Sequence, residues 1–169
     1  MDNKKQSETF KQWLEEHKAI LFKIIRVYAA SEEDQEDLFQ EVSLQLWRSV
    51  PGFKGEAKVS TWVYRIALNH ALKWTRKEQK RNTNLEQARE QAHVLEQQED
   101  IDPKLEWLYQ QIFGLDKVDR SLCLLLFDGY QYREISEMIG ISENYVGVKL
   151  NRIKKYLTEQ AKKHFENGI

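Results

Sequence analysis

Large apolar residues recur along much of the chain with the period of helices that lay one face on a core. Phe10, Trp13, Leu14, Ile20, Leu21, Ile24, Ile25 and Tyr28 form the first such stripe. Ser31-Glu32-Glu33-Asp34 then reads as a helix start, with a capping hydroxyl and acids at the positive end of the helix dipole. The helix it opens carries Leu38, Phe39, Val42, Leu46 and Trp47 and stops at Pro51-Gly52. A polar loop runs from Phe53 to Val59. A third helix begins near Ser60, presents Trp62, Val63, Ile66, Ala67, Ala71 and Trp74, and runs out into Arg76-Lys77-Glu78-Gln79-Lys80-Arg81.

Residues 83–101 are rich in Gln and Glu and hold no sustained apolar stripe. They read as a linker, or alternatively as a helix covering the first domain. Asp102-Pro103 is a fresh start, a capping acid followed by proline at the first helical position, and Leu105, Leu108 and Ile112 continue the helix to Gly114. Further on, Ile135, Met138 and Ile139 mark one face of a short helix, Gly140 supplies a turn that tolerates left-handed backbone, and Ser142 caps the next helix. There Val146, Leu150, Ile153 and Leu157 recur at i, i+4, i+7 and i+11, the pattern of a helix-turn-helix. The expected fold is all-α: a helical bundle over 1–82, an acidic linker over 83–102 and a helix-turn-helix domain over 103–169.

Composition agrees with that pattern. Two prolines and seven glycines punctuate 169 residues, so little interrupts helix formation. The single cysteine, Cys123, cannot form an internal disulfide, fits a reducing compartment, and reads as a buried small hydrophobe. The start Met1-Asp2-Asn3-Lys4 lacks a signal peptide's apolar core and no run is long enough to span a membrane, so the expected location is cytoplasmic. A net charge of −1 argues against a nucleic-acid binder until its distribution is considered. Residues 54–82 carry eight Lys or Arg against two acids, and 142–163 carry six against two. By contrast, 31–41 hold six acids and no base. Such blocks suit different partners, or serve as solvated helix faces.

Two motifs, in order, resemble a known family. Asp37-Leu38-Phe39-Gln40-Glu41-Val42, Leu46-Trp47, Phe53-Lys54-Gly55 and Thr61-Trp62-Val63-Tyr64-Arg65-Ile66-Ala67-Leu68-Asn69 resemble domain 2 of bacterial sigma factors. Tyr132-Arg133-Glu134-Ile135 through Gly140-Ile141-Ser142 to Val146 resembles their domain 4. A chain this short resembles the extracytoplasmic-function (ECF) class of the sigma-70 family. The resemblance implies a protein that binds core RNA polymerase and directs promoter recognition and melting.

The resemblance also implies roles. Asp37, Gln40, Glu41 and Trp47 correspond to the surface for the polymerase β′ clamp helices, and acids beside an aromatic suit a basic helical partner; an acidic solvated face around a core Trp is the alternative. Lys54, Lys58, Ser60, Thr61, Arg65, Asn69, Lys73, Arg76 and Lys77 correspond to the reader of the −10 element. Holding single-stranded DNA with an extruded base calls for cations, hydrogen-bonding groups and stacking surfaces. Trp62 and Tyr64 are the stacking candidates, with Trp62 also on the apolar stripe. Ser142, Glu143, Asn144, Lys149, Asn151, Arg152 and Lys155 correspond to the −35 reader, whose amides and cations suit a major groove. The implied partners are core polymerase (β′ clamp helices and β flap), promoter DNA and an anti-sigma factor. The chain departs from the family at Gly147 and Val148, at Ser136 where Ala is usual, and at Gln131 where a better cap is usual.

A second reading makes the chain a stand-alone regulator that binds duplex DNA as a dimer through the same helix-turn-helix. An enzyme is disfavoured. His17, His70, His93 and His164 are scattered without ligand spacing, and no Gly-rich phosphate loop or nucleophile constellation is present. No cofactor, metal or small-molecule substrate is expected.

Overall fold

The computed structural model describes residues 2–81 and 102–166. The linker reading of 83–101 falls outside them. Every regular element among the described residues is helical. The chain divides into two compact units, Met1–Ile101 and Asp102–Ile169.

The first unit packs three helices, α1 (Asn3–Tyr28), α2 (Glu32–Ser49) and α3 (Val59–Arg81), with a single 3₁₀ turn, Val50–Gly52, after α2. All three helix pairs are in contact. Their apolar stripes converge on Leu21, Ile24, Leu38, Val42, Leu46, Val63, Tyr64 and Ala67, which are solvent-inaccessible. Each buried Leu or Val contributes about 1.5–3 kcal/mol over its exposed state. The Ser31 hydroxyl accepts from the Asp34 N–H at 3.1 Å and starts α2, as its pattern predicts. The 3₁₀ turn carries Pro51 at an N-terminal position, where its missing N–H is not needed. An edge-on aromatic contact between Trp13 and Phe53 (5.3 Å) then ties the following loop to α1. The buried Gln6 amide donates to the Trp47 carbonyl at 2.8 Å, joining the start of α1 to the end of α2.

The second unit comprises α4 (Pro103–Phe113), α5 (Lys117–Phe127), α6 (Tyr132–Ile139) and α7 (Glu143–Glu166). Asp102 caps α4, its Oδ1 accepting from the Lys104 N–H at 2.9 Å. Helix α5 is the element the periodicity did not disclose. Ser121, Leu122, Cys123, Leu124 and Leu125 are consecutive and all buried. Covered by α4, α6 and α7, it shows no polar stripe by which to recognise a helix. Burial, reinforced by the nearby Asp119 carboxylate, pushes the Cys123 thiol up to about 12.

The α6–α7 pair has the turn that its pattern predicts. Gly140 ends α6 in the left-handed conformation (φ +81°), and the Ser142 hydroxyl accepts from the Tyr145 N–H at 3.2 Å. The two departures from the family pattern in α6 each have a local function. Ser136 Oγ donates to the Ile141 carbonyl, pinning the turn from inside. Gln131 starts α6 with help from Glu134, whose carboxylate accepts the Gln131 N–H at 2.7 Å.

Candidate protein and nucleic-acid interfaces

Helix α2 turns Leu38, Val42 and Leu46 inward, which leaves its other side for Asp37, Gln40 and Glu41. These lie at i, i+3 and i+4 and share one patch of surface. Asp37 and Gln40 are exposed, whereas Glu41 is partly covered. Glu41 also acts on His70 of α3. The His70 imidazole is held below its usual range mainly by burial and secondarily by Lys73, with Glu41 opposing both. Trp47 is half-buried. The free apolar side chain on this acidic face is Leu44, 46% exposed and one turn beyond Gln40 and Glu41. Sequence reading passed over Leu44 because an isolated Leu off the buried stripe carries no pattern; only exposure singles it out.

The loop from Phe53 to Lys58 and the outward face of α3 form a second surface. Gly55 takes a positive φ (+75°), which favours glycine at this bend. Lys54 and Lys58 are exposed, and Ser60 and Thr61 are partly so. Thr61, Arg65, Asn69 and Lys73 follow one another at four-residue steps, and the last three are exposed. Arg76 and Lys77 continue α3, but their side chains lie outside the described set. The stacking candidates separate. Tyr64 is solvent-inaccessible and cannot meet a base. Its position on the inner side of α3 overrides its polar hydroxyl. Trp62 is partly exposed; its ring leans on Phe53 at 5.5 Å and its Nε1 donates to Ser49 Oγ at 3.2 Å. It is therefore held in one orientation and retains an accessible part. Cations, an exposed amide and an aromatic thus lie along one strip.

In the second unit, Val146, Leu150 and Ile153 seat α7 on its neighbours. Ser142, Glu143, Asn144, Asn151, Arg152 and Lys155 are exposed on its other side. Lys149 is not. Its ammonium donates to Asp119 Oδ1 of α5 at 2.7 Å, with the two side chains 19% and 20% exposed. That hydrogen bond raises the Lys149 pKa, and partial burial offsets it only in part. Among the site residues read from sequence, Lys149 is thus turned from the outward face into an ion pair within its own unit. Gly147 lies beneath the Tyr132 ring, the nearest ring atom 3.6 Å from where a Cβ would stand. The Tyr132 hydroxyl in turn accepts from Lys154 Nζ at 3.1 Å. Val148, noted from sequence as a departure from the family, is 44% exposed on α7, and so is Tyr145 (47%), to which the sequence reading gave no role.

Among the described residues, no group of three or more His, Cys, Asp or Glu is placed to hold a metal. No helix among them is long and apolar enough to cross a membrane.

Residues 13–81 match the family model for Sigma-70 region 2. The RNA polymerase sigma factor YlaC of Bacillus subtilis (strain 168) is 28% identical over 139 residues, which cover 75% of this chain and 79% of YlaC. The ECF RNA polymerase sigma factor SigM of Mycobacterium tuberculosis (strain H37Rv) is 25% identical over 159 residues, 88% of this chain and 74% of SigM. In fold, the chain is similar to the sigma factor RpoE of Bartonella quintana, solved in complex with the anti-sigma factor NepR. That likeness has a TM-score of 0.69 at 18% identity, covering 92% of this chain and 98% of the other. CnrH, solved with the cytosolic domain of CnrY, gives a TM-score of 0.64 at 19% identity over 92% and 89%.

Proposed function

We propose that this chain, which belongs to the ECF class of the sigma-70 family, binds core RNA polymerase and directs promoter recognition and melting. The single observation that carries this reading is the match of residues 13–81 to Sigma-70 region 2. A stand-alone helix-turn-helix regulator has no use for that unit, so the second reading falls behind.

The roles divide by surface. Asp37, Gln40 and Glu41 face the β′ clamp helices, with Leu44 as the apolar anchor and Trp47 supporting it from a half-buried position. An apolar side chain with acids on the turns before it, Glu41 and Asp37, is a favourable arrangement against a basic helical partner. The strip Lys54, Lys58, Thr61, Arg65, Asn69 and Lys73, continued by Arg76 and Lys77, holds the −10 strand; Ser60 and Asn69 offer hydrogen bonds and Trp62 a ring face. Helix α7 enters the −35 major groove through Ser142, Glu143, Asn144, Asn151, Arg152 and Lys155. Lys149 stands behind this surface and braces it. The second unit also meets the β flap. The chain acts in the cytoplasm, where polymerase and promoters are, and supplies no chemistry of its own. An anti-sigma factor is a further partner, by analogy with the RpoE–NepR complex.

Two variants test this division. Asp37→Lys with Leu44→Ser should lose competition for core polymerase while leaving −35 duplex contacts intact. Asn69→Ala should retain polymerase binding and slow promoter melting. Normal competition by the first variant, or an unchanged melting rate in the second, removes those residues from the assigned surfaces.

A further inference from the structure

Val148 occupies the middle of the outward face of α7. The buried residues Val146, Leu150 and Ile153 define the inner side of this helix. Val148 lies roughly opposite their mean direction at 100° per residue. Its helical neighbours are Asn144 at i−4, Tyr145 at i−3, Asn151 at i+3 and Arg152 at i+4. All four are exposed, so an apolar side chain sits between two amides, a phenol and a guanidinium. Val148 itself is 44% exposed, and a β-branched residue gives a helix no advantage at an exposed site.

Lys149 sharpens the point. Were it free, it would place a cation beside Val148 and make that surface a generic phosphate contact. Bound to Asp119 at 2.7 Å, it is withdrawn from the face. The face then has an apolar centre, with Arg152 as the nearest cation along the helix. In the major groove, only thymine among the ordinary bases presents a methyl group, and small apolar side chains read it by contact.

Building on the sigma reading above, we infer that Val148, with Tyr145 beside it, reads thymine 5-methyl groups in the upstream promoter element. Asn144, Asn151 and Arg152 address polar base edges and phosphates around it. The element this chain selects therefore contains at least one thymine whose methyl contacts Val148.

The test uses the full chain with core polymerase. Promoters are first selected from a randomised duplex library. On a selected promoter, each thymine of the upstream element is then replaced singly by deoxyuridine, which removes the methyl and preserves base pairing. For the wild-type chain, one such replacement should weaken holoenzyme binding about four-fold, as expected for one buried methyl-sized group. Val148→Ala should weaken binding to the thymine promoter and abolish the difference between thymine and deoxyuridine at that position. Because Val148 is exposed, this variant should keep the wild-type fold, checked by unchanged thermal unfolding. No penalty at any thymine, or an equal penalty in wild type and Val148→Ala, overturns the inference while leaving the sigma assignment standing. Failure to enrich any pair of spaced elements sinks the sigma assignment, and the inference falls with it.

Discussion

Replacing Lys149 by Met asks whether this side chain belongs to the fold or to the DNA contact, and the structure answers in numbers. The Lys149–Asp119 pair is 2.7 Å long and each side chain is about one-fifth exposed. Fully exposed pairs contribute about 0.2–1 kcal/mol, and breaking a fully buried one costs about 3–5 kcal/mol. A hydrogen-bonded pair at intermediate burial falls between, at about 1.5 kcal/mol of coupling, or roughly ten-fold in an opening equilibrium. The single cysteine supplies the assay. Cys123 is buried in the same unit, so a thiol reagent reaches it after local opening, and the labelling rate follows the opening equilibrium when reclosing is fast. Lys149→Met and Asp119→Asn should each raise the labelling rate roughly ten-fold, and the double variant should label little faster than either single one. Labelling proceeds from the open state, so the influence of Asp119 on the native thiol does not distort the comparison. The salt dependence of DNA binding completes the test. Arg152→Met and Lys155→Met should each reduce the slope of log K against log salt by about 0.9, one phosphate contact apiece. Lys149→Met should leave it unchanged. Additive labelling effects, or a lowered slope for Lys149→Met, would refute the bracing role.

Four further outcomes follow from the same structure. Gly147→Ala should stabilise the second unit by up to about 1 kcal/mol, since a Cβ meets the Tyr132 ring at an ordinary 3.6 Å. Gly140→Ala should destabilise it by about 1–2 kcal/mol because its φ is +81°; Cys123 labelling should slow in the first and quicken in the second. The native Cys123 thiol is raised from 9.0 to about 12, so the unfolded chain loses its thiol proton first and the folded state loses stability as pH rises above 9. Denaturant unfolding of the second unit should show a decline of about 1 kcal/mol between about pH 9 and 10, absent from Cys123→Ala. Ser31→Ala removes the acceptor for the Asp34 N–H and should cost the first unit about 1 kcal/mol, read as a lower melting temperature.

The parts of the fold that are written locally were legible in the residues. Ser31 and Asp102 signal their helices because a capping oxygen and the N–H that donates to it lie within three positions, and Gly140-Ile141-Ser142 signals the turn for the same reason. Helix α5 was not legible, since five consecutive buried residues leave no polar stripe. The candidate surfaces divide along the same line. Charged positions such as Asp37, Arg65 and Arg152 announce themselves by residue type and lie exposed. Lys149 misleads, because its partner Asp119 is thirty positions away and only folding brings them together. Tyr64 misleads in the opposite sense, its hydroxyl suggesting surface while the helix turns it inward. Leu44 was passed over because an apolar residue reads as core until its exposure is known, and Val148 drew notice only as a departure from the family, its outward placement waiting on the fold.

The most direct test of the central claim is multi-round transcription by bacterial core RNA polymerase on a genomic library, with and without this protein. The account predicts protein-dependent transcripts that start downstream of two spaced elements and vanish with Asp37→Lys, Leu44→Ser. If no new starts appear, and the protein alone footprints duplex DNA, the sigma assignment is contradicted and the helix-turn-helix serves a stand-alone regulator.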